Sequence, residues 1–116
     1  INPKCKAFTG SEKDLKKKFD LIPDDIDIIV THSPPFTVLD AVFDSNERTH
    51  RCVGSKEVSH ALNRVQPSLH VFGHIHEHGG RKTEYLYPKG KKTICVNASI
   101  VNERYEHVNK PVRVIL

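Results

Sequence analysis

Methionine is absent from all 116 residues, so Ile1 is not expected to be a translation start. The chain is instead expected to be processed or to be part of a longer protein. Long apolar runs are absent too. Nothing approaches the roughly 18 uncharged residues that a membrane helix needs, which excludes a transmembrane helix of that kind. No signal peptide can be read where the chain opens, and the default address is the cytoplasm. Cysteine is scarce and odd in number. Cys5, Cys52 and Cys95 stand far apart with no C-x-x-C between them, which argues against both a disulfide framework and a zinc ribbon. Reduced, mostly buried thiols are expected. Internal repeats, low-complexity tracts and Gly/Ser-rich linkers are missing as well, so residues 1–116 read as a stretch of one domain. The length suits one core but is short for a two-layered enzyme with a buried metal site.

What is present is globular in character, 37% hydrophobic and 28% charged. The net charge of +4 raises the question of an anionic partner. Its lysines give a plainer answer: Lys16, Lys17 and Lys18 fall on a predicted helix, and Lys89, Lys91 and Lys92 flank Gly90 in a predicted turn. Solvated lysines explain the charge, and no aromatic interleaving or recognition module accompanies them, so nucleic acid is not expected as a partner.

Periodicity and punctuation predict alternating helices and strands, an α/β pattern. Ser11 reads as an N-cap for a helix over about 12–19, with Glu12 and Asp14 in its first turn and a narrow Leu15/Phe19 stripe. A near-continuous apolar strand covers 26–30 and ends at Ser33-Pro34-Pro35. Ser55 caps a second helix over about 56–65, with Val58, Ala61, Leu62 and Val65 on one face, and Pro67 stops it. A buried strand over 68–72 follows, closed by Gly73. Two further strands, 83–86 and 92–96, form a hairpin around Pro88 and Gly90, and 112–116 is a last candidate strand. Residues 40–53 are polar and unpatterned, and read as a long loop.

Chemistry-bearing residues collect behind two of these strands. Thr31-His32-Ser33-Pro34-Pro35 follows the first, and Gly73-His74-Ile75-His76-Glu77 follows the buried one. The carboxyl ends of strands in open α/β sheets are where loops converge on ligands. An extended His-x-His directs both rings to one side of the chain, and neutral imidazole suits zinc, iron, nickel and manganese. Weighed singly, His32 reads more readily as a hydrogen-bonded strand-end residue than as a ligand. His74 and His76 are the better pair because Gly73 permits close approach to an ion. His70, between Leu69 and Val71, reads as a core histidine, while His50, His60, His78 and His107 read as surface or loop residues. Glu77 is a candidate acceptor for a ligand ring, and Asn97 a loop-shaping residue.

Taken together, Thr31-His32-Ser33-Pro34-Pro35, His70-Val71-Phe72-Gly73-His74-Ile75-His76-Glu77 and Val96-Asn97-Ala98-Ser99, in this order around a helix and a hairpin, resemble the calcineurin-like metallophosphoesterase superfamily. The likeness is nearest to its fetal-brain-type metallophosphoesterase-domain branch. It runs from about Leu21 to Pro111, and Ile22 to Asp27 and Val53 to Lys56 share it. The resemblance implies a four-layer α/β/β/α sandwich of which this chain is the carboxyl-terminal half. It also implies two divalent metal ions (manganese, iron, zinc or nickel), with His32 and His74 as ligands of the second and His76 of the first. The implied substrate is a phosphomonoester or phosphodiester, and the branch suggests a cyclic nucleotide. The family's D-x-H, G-D and G-N-H-[DE] motifs have no counterpart here. Two close cations need anionic ligands to offset their repulsion, and three imidazoles supply none. The missing amino-terminal half is therefore the expected partner, this chain alone is expected to be inactive, and the uncovered sheet edge predicts self-association. Two other readings stay open: a non-catalytic, metal-dependent interaction module, and a mononuclear hydrolase on a three-histidine site.

Overall fold

The computed structural model describes residues 10–116; Cys5 lies outside them. Helix α1, Glu12–Asp20, begins in a reciprocal cap. The Ser11 hydroxyl accepts from the Asp14 amide while the Asp14 carboxylate accepts from the Ser11 amide. The Ser11 hydroxyl, which also donates to the Asp14 carboxylate, and then the Ser11 amide hold the Asp14 carboxyl below its usual pKa. Strand β1, Ile28–Val30, is shorter than predicted. A hairpin follows, β2 (Ala41–Asp44) against β3 (Thr49–Cys52), and then α2, Lys56–Val65. After it come β4 (Leu69–Phe72), a 3₁₀ turn at His76–His78, β5 (Arg81–Leu86) and β6 (Lys92–Asn97).

The main sheet runs β1-β4-β6-β5, with β1, β4 and β6 parallel and β5 antiparallel to β6. Parallel neighbours need a crossover, and α2 supplies the one from β1 to β4. All four residues of its predicted apolar face, Val58, Ala61, Leu62 and Val65, are buried. Val58, Leu62 and Val65 meet Ile29, Phe72 and Cys95 from the sheet, with Phe19 and Ile22 packed from the side. Each such side chain contributes about 1.5–3 kcal/mol of hydrophobic stabilisation. Arg64 fastens α2 to its neighbour, pairing with Asp24 and donating to the Phe19 carbonyl. The result is a small α/β unit of two helices and a mixed sheet.

The predicted loop over 40–53 is largely the β2–β3 hairpin. Its strands are mostly exposed, so they carry no alternation for a pattern to reveal. The turn rests on Asp44, whose carboxylate accepts from the Asn46 and Glu47 amides. Cys52 lies on this exposed strand, contrary to the expectation of buried thiols, whereas Cys95 is buried and its thiol is pushed up to about 12 by desolvation. Residues 112–116 form no strand: they find no ladder partner among the described residues. No helix among those residues is long and apolar enough to cross a membrane. On β1, an edge strand, Ile29 is 6% exposed toward the helices while Ile28 and Val30 are 48% and 72% exposed on the opposite face.

Candidate metal centre

Parallel pairing brings the ends of β1, β4 and β6 to one edge of the sheet, and the ladder continues into the loops. The Thr31 amide donates to the Val71 carbonyl at 3.0 Å and the Gly73 amide to the His32 carbonyl at 3.0 Å. One backbone bond therefore ties Gly73, the residue before His74, to His32, 41 positions apart in sequence. The His32 and His74 rings meet with centroids 4.7 Å apart and planes tilted by 46°.

The turn that carries His74 is strained. His74 has φ +67°, and the Ile75 amide reaches back to the Gly73 carbonyl at 2.7 Å, the pattern of the rare positive-φ γ-turn. Such backbone persists only where its surroundings hold it in place. Here Asn97, fully buried, does so: its side-chain N–H donates to the Ile75 carbonyl at 2.7 Å while its oxygen accepts from the Ser99 amide at 3.0 Å. Because His74 turns into the left-handed region and His76 opens the 3₁₀ turn, Gly73 to His76 is not the extended His-x-His expected from sequence. His76 instead meets Tyr105 edge-to-face at 5.2 Å. Tyr105 drew no attention in the sequence, where a single tyrosine in a polar loop carries no signal.

The His32 turn is held from the core. The Thr31 hydroxyl donates to the Ser33 carbonyl at 2.7 Å, so its oxygen accepts the Nε2–H of His70 at 2.9 Å. His70 is then the Nε2–H tautomer, and its Nδ1 is buried with no partner among the described residues. Burial lowers its pKa to about 4. His70 is thus a core histidine satisfied on one side only, and a brace for His32. His78, read from sequence as a surface residue, is another brace. Its Nε2 meets the Ala41 carbonyl at 3.0 Å, which joins the β2–β3 hairpin to the His76–His78 turn, and its Nδ1 is buried without a partner among the described residues.

Farther back, Pro34 and Pro35 lock onto the approach to α2. Ser55 donates to the Pro34 carbonyl and Phe36 to the Ser55 carbonyl, and a Cβ on Gly54 would stand 2.3 Å from the Pro35 oxygen. The buried Asp40 carboxylate closes the same junction, accepting from the Thr37 and Gly54 amides at 2.9 and 2.8 Å.

Desolvation, then the neighbouring charge of His32 and of His76, holds the His74 pKa below its usual value against the opposing pull of Glu77. His74 is therefore a neutral imidazole at neutral pH, the form that binds metals. No hydrogen bond links Glu77 to the three histidines among the described residues. Nor do any three His, Cys, Asp or Glu side chains among them converge as a group able to hold a metal ion. His32 and His74 suit a borderline transition metal in donor type but bring no negative charge, so the residues fit part of a ligand set rather than a whole one.

The chain is 41% identical over 99 residues to metallophosphoesterase domain-containing protein 1 of Homo sapiens and to the same protein of Mus musculus, an overlap that covers 84% of this chain and 27% of those proteins. A UPF0046 protein of Caenorhabditis elegans is 34% identical over 107 residues, 91% of this chain and 24% of that relative. The chain thus spans about a quarter of the length of the curated relatives it matches. No protein-family model matches it.

Proposed function

The chain is a homologue of the metallophosphoesterase-domain proteins, and from that premise we propose that it forms one wall of a metal-dependent phosphoesterase site in a longer protein. The observation that carries this reading is the contact between the His32 and His74 rings, which joins two histidine motifs at the carboxyl ends of adjacent parallel strands. In this reading His32, His74 and His76 would hold the ions, and the anionic ligands come from another part of the same domain. Divalent cations, when bound, polarise the phosphoryl oxygens and activate water. The chain's own work is positional. Thr31 and His70 fix the His32 turn, Asn97 fixes the His74 turn, and His78 ties the 3₁₀ turn to the hairpin. The substrate is a phosphomonoester or phosphodiester, cyclic nucleotides included. The uncovered face at Ile28 and Val30 supports a second sheet packed there, completing a four-layer sandwich.

The test uses the full-length protein with manganese and a chromogenic phosphodiester, bis(p-nitrophenyl) phosphate. Cleavage that chelation abolishes, and that His74→Ala lowers at least a hundredfold, is expected. Metal-loaded protein that cleaves neither this diester nor p-nitrophenyl phosphate overturns the proposal. The lack of a complete ligand group among the described residues favours a second reading, a metal-dependent interaction module. Native mass spectrometry separates the two: the enzyme holds two ions, the module at most one.

A further inference from the structure

The segment after β6 returns on itself. Its neck closes where Val108 and Asn109 both donate to the Ile100 carbonyl at 3.2 and 3.1 Å and Val101 bridges His107. Asn102 organises the tip. Its side-chain oxygen accepts from the Arg104 and Glu106 amides at 2.9 and 3.0 Å, and its N–H donates to the Glu106 carboxylate at 2.7 Å. The Asn102 amide donates to the Glu106 carbonyl at 3.0 Å, and the Tyr105 amide to the Asn102 carbonyl at 3.0 Å. Within this frame Tyr105 has φ +61°, a conformation that a bulky L-residue rarely adopts.

The frame does not serve to bury the ring. Tyr105 is 76% exposed, and its one aromatic neighbour among the described residues is His76, at 90°. A strained backbone and a dedicated side-chain clamp thus hold a large aromatic in water against a candidate metal ligand. Resting on the phosphoesterase reading above, the geometry points to Tyr105 as the platform on which a planar, aromatic group of the phosphate ester stacks, whether nucleobase or aryl. An edge-to-face contact with His76 sets the ring's orientation, and the exposed phenol presents a π-surface of the kind on which flat groups of any sequence or substituent stack.

Calorimetric titration of the manganese-loaded full-length protein tests this with three probes: adenosine monophosphate, phenyl phosphate and methyl phosphate. Tyr105→Ala is expected to weaken the aromatic probes about tenfold and leave methyl phosphate unchanged, while Tyr105→Phe keeps wild-type affinities. Weakening of adenosine monophosphate alone, or of phenyl phosphate alone, supports the platform and identifies nucleobase or aryl as its occupant. Equal weakening of all three, or none, overturns it. Asn102→Ala, which releases the tip but retains the ring, is expected to show the same selectivity in smaller measure if Tyr105→Ala compromises folding. Failure of all three phosphates to bind wild-type protein overturns the phosphoesterase reading itself, and the platform with it.

Discussion

Acid should unfold this protein partly through one buried ring. His70 is fully buried, its Nε2–H is committed to Thr31 and its Nδ1 faces no acceptor, so a second proton would sit unpaired in the core. Its pKa accordingly falls from 6.5 to about 4. A histidine depressed in this way leaves stability untouched above pH 6.5, because both states are then neutral. Between 6.5 and about 4 the unfolded chain takes up a proton that the folded chain refuses, and stability drops as pH falls. Each tenfold difference in proton affinity is worth ~1.4 kcal/mol, so the full loss is about 3 kcal/mol near pH 4. That is a large share of the roughly 5–15 kcal/mol typical of a small domain. Urea unfolding followed by circular dichroism, at pH steps from 7.5 to 4.5, gives the curve for wild type and for His70→Gln, which retains a donor toward Thr31 but cannot titrate. The other histidines and the carboxylates cancel in the difference. The wild type is expected to lose stability relative to the variant at up to ~1.4 kcal/mol per pH unit below pH 6. A difference that stays flat across this range would refute the argument.

Two further outcomes follow from the braces. Gly54→Ala places a methyl 2.3 Å from the Pro35 oxygen and 2.8 Å from Asp40; overpacking of this kind costs about 1–3 kcal/mol, measurable as a lower urea midpoint, and an unchanged midpoint would show that the junction yields. Asn97→Leu leaves the Ile75 carbonyl without its donor, a loss of about 1–3 kcal/mol. The His74 turn is expected to loosen with it, seen as weaker manganese binding by calorimetry in the full-length protein.

The sequence by itself determined the elements whose physics is local or strongly periodic. α2 was legible from end to end because four apolar residues recur at helical spacing behind a serine cap and before Pro67. The β5–β6 hairpin was legible from Gly90, whose φ of +81° suits glycine. The two histidine motifs stood out by composition and by their places after strands, and the kinship they suggested is supported by the curated relatives. Tertiary structure alone decided the rest. The β2–β3 hairpin is mostly solvent-facing and leaves no apolar imprint, and residues 112–116 have strand-like composition but no ladder partner among the described residues. Which histidines meet depends on a parallel ladder linking residues 41 apart. The roles of His70 and His78 depend on single hydrogen bonds to Thr31 and Ala41, and Tyr105 approaches His76 only because a loop folds back. Contacts of this kind join residues distant along the chain, so no local pattern encodes them; they come into being only when the sheet assembles.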